Sequence, residues 1–231
     1  MAGKVGSVRV TGVILAGGAS RRMGRNKALL ELDGRPLIAL VAERLRSVVD
    51  ELIIVADATE RYARWADRCV PDVYPGVGTL GGIHAGLEAA THELTLVVGC
   101  DMPFLDPGVL DWFVEAASHD DGVGPVDLVI LKHEAGVEPL HAVYRKSCLP
   151  AIVATIESGE RCAFAYFDQV RVRYVRPDEI APLDPEFLSF LNVNTPEEWR
   201  RVLDRLAGSP GPTPDLPGSS TDHTLRPAEA G

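Results

Sequence analysis

Residues 8–27 join an apolar run to a loop suited to anions. Val8 to Ala16, with Val8, Val10, Val13, Ile14 and Leu15, reads as a strand buried on both faces. It breaks into Gly17, Gly18 and Gly24, and Arg21, Arg22, Arg25 and Lys27 surround those glycines. Glycines let backbone N–H groups approach phosphate oxygens with no Cβ in the way. Arg and Lys add charge-assisted hydrogen bonds, and Arg can bind in bidentate fashion. The loop lacks the closing Gly-Lys-Ser/Thr of a Walker motif, and its spacing is not Gly-x-Gly-x-x-Gly. A bare Gly-Gly pair would suggest only a surface turn. The cations around this one favour a polyanion such as a triphosphate.

Beyond the glycine loop the chain repeats the strand-then-helix order. Asp33-Gly34 signals a turn, and Pro36 suits the first turn of a helix. Leu37, Leu40, Val41, Leu45 and Val48 have helical spacing, and Leu52 to Ala56 is a second buried strand. Thr59 to Ala66 reads as a short helix, and Cys69-Val70 leads into the loop Pro71 to Gly78. Leu80, Ile83, Leu87 and Ala90 mark another helix, and Leu94 to Gly99 a third buried strand ending at Cys100-Asp101. Asp106 to Ser118 reads as a helix. Leu128 to Lys132 and Leu140 to Tyr144 flank the short connection Glu134-Ala-Gly136, which favours antiparallel pairing. A helix over Leu149–Glu157, an edge strand over Arg171–Val175 and a last helix over Glu197–Leu206 complete the pattern. Thr195 is placed to cap that last helix, with Pro196 at its first position. The expectation is an α/β chain with a mostly parallel, mixed sheet. Such sheets bind ligands at the carboxyl ends of their strands, which brings the glycine loop and Asp101 to one crevice.

Length allows one full α/β domain, expected over residues 1–207 of the 231. Residues 208–231, rich in Pro, Gly, Ser and Thr, read as a disordered tail. A net charge of −10 speaks against a general nucleic-acid binder but leaves room for a local basic pocket. No apolar run approaches the ~20 residues of a membrane span, and the N-terminus lacks a secretory signal. Cys69, Cys100, Cys148 and Cys162 form no C-x-x-C pair and read as free thiols in a cytoplasmic protein.

Asp101 follows a buried strand, where a carboxylate is well placed to hold Mg²⁺ beside substrate phosphates; a turn-forming Asp before Pro103 is the other reading. Asp72 is either a second acidic group near the metal or a contact to the nucleotide, or else a turn residue after Pro71. Gly78, Gly81 and Gly82 allow close approach of a ligand, or of a helix to the sheet. Asn192 and Asn194 alternate around Val193, so both amides can face the phosphate region or stabilise a turn. His141, after Glu138-Pro-Leu, is either a base or a satisfied, half-buried histidine. No His-x-x-x-His spacing or Gly-x-Ser-x-Gly elbow is present.

These pieces occur in an order that resembles the nucleotidyltransferases related to molybdenum cofactor guanylyltransferase. The matching elements are Leu-Ala-Gly-Gly-x-Ser-x-Arg-Met-Gly-x-x-Lys at 15–27, Gly34-x-Pro-Leu37 and Asp72-x-x-Pro-Gly-x-Gly. Then come Cys-Asp-Met-Pro-Phe-Leu at 100–105, Glu-Pro-Leu-x-Ala-x-Tyr at 138–144 and Phe190-x-Asn-Val-Asn-Thr-Pro196. The resemblance implies a Rossmann-like nucleotidyltransferase fold, three layers αβα. It implies that Leu15, Ala16, Gly17, Gly18, Lys27, Asp72 and Asp101 bind GTP, that Asp101 also binds Mg²⁺, and that Lys27, Asp101 and Arg22 serve catalysis. The implied reaction moves GMP from GTP to the terminal phosphate of molybdenum-loaded molybdopterin. Molybdoenzymes or their chaperones would receive the product, and neither nucleic acid nor membrane takes part. Gly17 agrees with the guanylyl branch, since cytidylyl relatives commonly have Ala there. The pattern departs at Gly78-Thr-Leu80, where the family has Gly-Pro-Leu, and at Ala56, where a polar residue is common. Cytidylyl or sugar-phosphate transfer on the same fold, or GTP binding without turnover, are the alternatives.

Overall fold

Mostly apolar runs form the middle of the sheet, because a parallel strand is covered on both faces and has no wet side. In the computed structural model, which describes residues 8–17, 26–119, 122 and 124–206, the first such strand is β1 (Val10–Leu15). Beside it lie β4 (Glu51–Val55) and β6 (Leu94–Gly99), both parallel to it. Gly18, Arg22 and the residues expected to form a tail fall outside the described residues.

Strands β5 (Arg68–Val70), β7 (Leu128–His133), β8 (Gly136–Arg145) and β9 (Val172–Val175) complete a seven-stranded sheet of order β5-β4-β1-β6-β8-β7-β9. Only β8 runs against its neighbours, so the sheet is mixed and mostly parallel, as expected. A small hairpin of β2 (Glu31–Leu32) and β3 (Arg35–Pro36) precedes the first helix. Its turn uses Asp33 and Gly34, both at positive φ (51° and 72°), the two-residue geometry that matches strand twist. Pro36 therefore ends this hairpin instead of opening the helix.

Helices cover both faces. On one lie α1 (Leu37–Arg46) and α4 (Pro107–Ser118). α1 turns Leu37, Ile38, Val41, Ala42 and Leu45 inward, and of these Ile38, Val41, Ala42 and Leu45 pack with Val10, Ile14, Leu52, Ile54 and Val98. Asp106 is the N-cap of α4 and accepts from Gly108 N at 2.7 Å and Val109 N at 3.2 Å. The short α2 (Thr59–Tyr62) lies between β4 and β5. On the other face α3 (Thr79–Ala89) and α5 (Leu149–Glu157) cover Val13, Ile53, Val55, Val97 and Ala142. Two glycines bring helices close to β1. A Cβ on Gly12 would meet Leu45 Cδ2 of α1 at 2.9 Å, and one on Gly86 of α3 would meet Val13 Cγ1 at 2.6 Å. α6 (Pro177–Ile180) follows β9.

The last helix, α7 (Pro196–Leu206), starts as its sequence predicts. Glu198 N donates to Thr195 Oγ1 at 3.1 Å, and Glu198 Oε2 accepts from Thr195 N at 2.9 Å, a reciprocal cap. Among the described residues no helix is long and apolar enough to cross a membrane.

Candidate functional site

The carboxyl ends of β1, β4 and β6 open into a cavity of about 590 Å³. Leu15, Ala16 and Gly17 form its floor where β1 stops. Ala16 N still donates to Val55 O at 2.9 Å and Cys100 N to Leu15 O at 3.2 Å, so the sheet's hydrogen bonds hold the floor as far as Ala16. A Cβ on Gly17 would meet nothing closer than Val55 O at 3.9 Å. Gly17 thus keeps space open toward the cavity and is not required by packing.

Lys27 returns to the site on a 3-10 turn, Lys27–Leu29. Asn26 holds that turn: its Oδ1 accepts from Ala28 N at 3.1 Å, and its Nδ2 donates to Tyr62 Oη at 2.7 Å. From there Lys27 Nζ reaches Asp101 Oδ2 at 3.4 Å and donates to Asn194 Oδ1 at 2.6 Å. Residues 27, 101 and 194, far apart in sequence, meet at one point. Asp101 comes close because β6 ends in Gly99: a Cβ there would sit 2.7 Å from Asp101 Oδ1. Val193 N donates to Asp101 O at 3.0 Å, which ties the segment carrying Asn194 to the same strand end. Burial pushes the Asp101 carboxyl above its ordinary range, and the Lys27 ammonium opposes that rise.

Asp72 lies on the other side of the cavity. Its Oδ1 accepts from Tyr74 N at 2.8 Å, and its carboxylate lies across the first turn of α3, where a Cβ on Gly81 would be 2.9 Å from Oδ2. A carboxylate there faces the positive end of the helix. Gly78, at φ 85°, precedes that helix and also lines the cavity. Asp72 therefore forms a turn, as one reading of the sequence has it, and it also lines the cavity.

Among the described residues no group of three or more His, Cys, Asp or Glu forms a metal cage. One largely buried aspartate lining the cavity suits Mg²⁺, which keeps waters and substrate phosphates in its shell and needs few protein ligands. Asp101 is the carboxylate that would hold it.

His141 is not a base. It is fully buried, its Nε2 lies 2.9 Å from Ser189 Oγ, and its ring stacks against Phe190 at 4.1 Å. Burial lowers its pKa to about 3, so the ring is neutral. The sequence suggested a half-buried histidine; contact with a residue 48 positions away buries it completely. Glu138 pairs with His133 Nε2 at 2.7 Å, and burial raises its carboxyl to about 7. Neither lines the cavity. Cys100 lines it, but burial pushes its thiol far up, so it stays protonated and is no nucleophile.

Leu15, Ala16, Gly17, Lys27, Asp72 and Asp101 thus surround one cavity, while Gly18 and Arg22 lie outside the described residues. Asn192, paired with Asn194 in the sequence reading, has its Oδ1 buried without a partner among the described residues. Sequence reasoning missed Asn26, Asp57 and Arg161. Asp57 lines the cavity just past β4, and Arg161 Nη1 donates to Gly76 O at 3.0 Å on the loop before α3. A signal for Asp57 was available: it is the first polar residue after a buried strand.

Residues 12–172 match the model of the MobA-like NTP transferase domain. The molybdenum cofactor guanylyltransferase of Desulfosudis oleivorans is 38% identical over 194 residues, covering 84% of this chain and 94% of that protein. A probable molybdenum cofactor guanylyltransferase of Pelotomaculum thermopropionicum is 39% identical over 191 residues, covering 83% and 90%. The crystal structure of molybdopterin-guanine dinucleotide biosynthesis protein A from Archaeoglobus fulgidus superposes with a TM-score of 0.74. It is 28% identical, covering 86% of this chain and 99% of that one.

Proposed function

The chain belongs to the MobA-like NTP transferase family, and from that premise we propose that it transfers GMP from GTP to the terminal phosphate of molybdenum-loaded molybdopterin. The products are the guanine dinucleotide form of the cofactor and pyrophosphate. The observation that carries this reading is the meeting of Lys27, Asp101 and Asn194 at one end of the cavity. It supplies a cation for phosphates, a carboxylate suited to a divalent metal, and an amide that fixes the cation. The names of the curated relatives support guanine as the base and the molybdenum cofactor as the acceptor.

The acceptor phosphate is already anionic, so no strong base is needed. One of its oxygens bonds to the α-phosphorus of GTP. The bond from that phosphorus to the oxygen shared with the β-phosphate breaks, and the electron pair leaves with pyrophosphate. Two polyanions must be held in line while charge moves to the leaving group, so positioning and electrostatics carry most of the rate. Lys27 donates to phosphate oxygens there, with Asn194 Oδ1 fixing its ammonium. The floor at Leu15, Ala16 and Gly17 positions the nucleotide, and Asp72 lines the nucleoside side. Asp101 would hold Mg²⁺ together with the GTP phosphates; when bound, the metal adds positive charge to the phosphate oxygens. Arg22, by its place in the cationic loop, is assigned to the leaving pyrophosphate. Molybdoenzymes or their chaperones are the recipients this assignment implies.

Pyrophosphate release tests the reading. The full chain with GTP, Mg²⁺ and molybdenum-loaded molybdopterin should release pyrophosphate, and omitting the acceptor should abolish the release. GTP binding with no release under any of these conditions would instead make the protein a nucleotide sensor.

A further inference from the structure

Lys27 is placed from both of its ends. At the tip, Nζ meets Asp101 and Asn194. At the base stands the three-residue turn Lys27–Leu29. Lysine carries its charge on a flexible four-carbon stem, so the place of the turn decides where the ammonium comes to rest. Leu29 N donates to Asn26 O and Leu30 N to Lys27 O, both at 3.1 Å, and Ala28 N donates to Asn26 Oδ1 at 3.1 Å. These bonds close the turn on itself and travel with it. The exit of the turn is tied to the fold by Leu37 N, which donates to Leu30 O at 2.8 Å, and Ala28 is seated in the core. The entry, one residue before Lys27, is tied by Asn26 Nδ2, which donates to Tyr62 Oη at 2.7 Å across 36 residues.

Tyr62 is the last residue of α2, which packs on β4 and β5. The residue is 2% exposed and belongs to the same core cluster as Ile54, Leu96 and Val98. A phenylalanine ring would fill that space equally well. A buried tyrosine hydroxyl needs a polar partner, and the partner here is Asn26. Asn26 lines the cavity, and Tyr62 stands behind it, outside the lining. We propose that Tyr62 is a positioning residue for the transfer reaction: through Asn26 it fixes the entry of the turn and so places the Lys27 ammonium against the phosphates, without touching substrate itself. The inference rests on the assignment of Lys27 to the phosphates of the donor nucleotide.

The test is steady-state transfer by the full chain with GTP, Mg²⁺ and molybdenum-loaded molybdopterin. Tyr62→Phe, Asn26→Ser and the double variant are compared, and Tyr62→Phe is repeated in the Lys27→Ala background. Tyr62→Phe removes one oxygen and keeps the ring. Asn26→Ser keeps an oxygen for Ala28 N but is too short to reach Tyr62. A misplacement of about 1 Å can cost about 100-fold in rate, so each single variant should lower kcat about tenfold while KM for GTP changes less than about twofold. The double variant should fall no further than either single one, because both break the same bond. In Lys27→Ala, Tyr62→Phe should lower kcat no further. A role in folding alone would lower the urea midpoint and leave kcat per folded molecule unchanged, which overturns the inference. An equal fall in kcat with and without Lys27 overturns it as well. In both of those outcomes a large loss in Lys27→Ala leaves the phosphate assignment standing. Full activity of Lys27→Ala overturns that assignment and the inference with it.

Discussion

At the scale of single residues, the site turns on Lys27, held between the Asp101 carboxylate and the Asn194 amide. Lys27→Ala should keep the fold, because the side chain packs in no core cluster. It should reduce kcat for transfer by about 100- to 1000-fold, the usual loss for one preorganised donor to developing charge. Steady-state transfer with a circular-dichroism control decides this, and near-wild-type turnover would remove Lys27 from the chemistry. Asp101→Asn keeps the shape of the carboxylate and removes its charge. It should abolish transfer and weaken Mg²⁺-dependent GTP binding; turnover with an unaltered Mg²⁺ dependence would make Asp101 a turn residue. Asp101 and Lys27 were legible in the sequence because a charged residue just past a buried strand or glycine loop has no packing role. Asp57, the first polar residue past β4, carries the same signal. His141 shows the opposite limit: its burial depends on Ser189, Phe190 and Phe113, and no local pattern announces those contacts.

At the scale of elements, the strands buried on both faces were the most legible part of the fold. Leu94–Gly99 has the limits its apolar run predicts, and the reversed hairpin of β7 and β8 follows from the short connection at Glu134–Ala135. β5 was not recognised as a strand. It has three residues, begins with an exposed Arg, and exists because β4 offers it an edge. β8 begins four residues earlier than expected, because pairing with β7 overrides the polar Glu138 and the Pro139. Helix-to-sheet spacing could not be read from the sequence, yet Gly86 sets it for α3. Gly86→Ala should destabilise the protein by about 1–3 kcal/mol, since a methyl at 2.6 Å from Val13 Cγ1 forces the helix away from β1. Urea denaturation measures this directly. A gain in stability, as helix propensity alone would give, would contradict the close packing of α3 on the sheet.

At the scale of the whole molecule, the two edges of the sheet have different duties. The carboxyl edge is left open for ligand, and the amino edge is clamped by Glu51. Burial alone would raise the Glu51 carboxyl, but hydrogen bonds from Thr91 N at 2.9 Å, Thr11 Oγ1 at 2.8 Å and the Arg68 guanidinium outweigh it and lower it to about 2. A carboxyl lowered from its ordinary 4.5 stabilises the fold fully above that pH and loses its contribution as pH falls from about 4.5 toward 2. Glu51→Gln should therefore cost about 1–3 kcal/mol at pH 7, and the gap from wild type should close as pH drops. Denaturation curves across that range read the gap, and a constant difference would mean that Glu51 acts by shape alone. At the open edge, the cavity is assigned to joining a guanine nucleotide to a phosphate acceptor. The most direct measurement incubates the full chain with molybdenum-loaded molybdopterin, Mg²⁺ and equal concentrations of GTP and CTP, and weighs the dinucleotide product by mass spectrometry. The guanine dinucleotide should form in large excess, with one pyrophosphate released per product. A cytosine dinucleotide in equal or greater amount, or GTP consumed with no dinucleotide formed, would contradict that assignment.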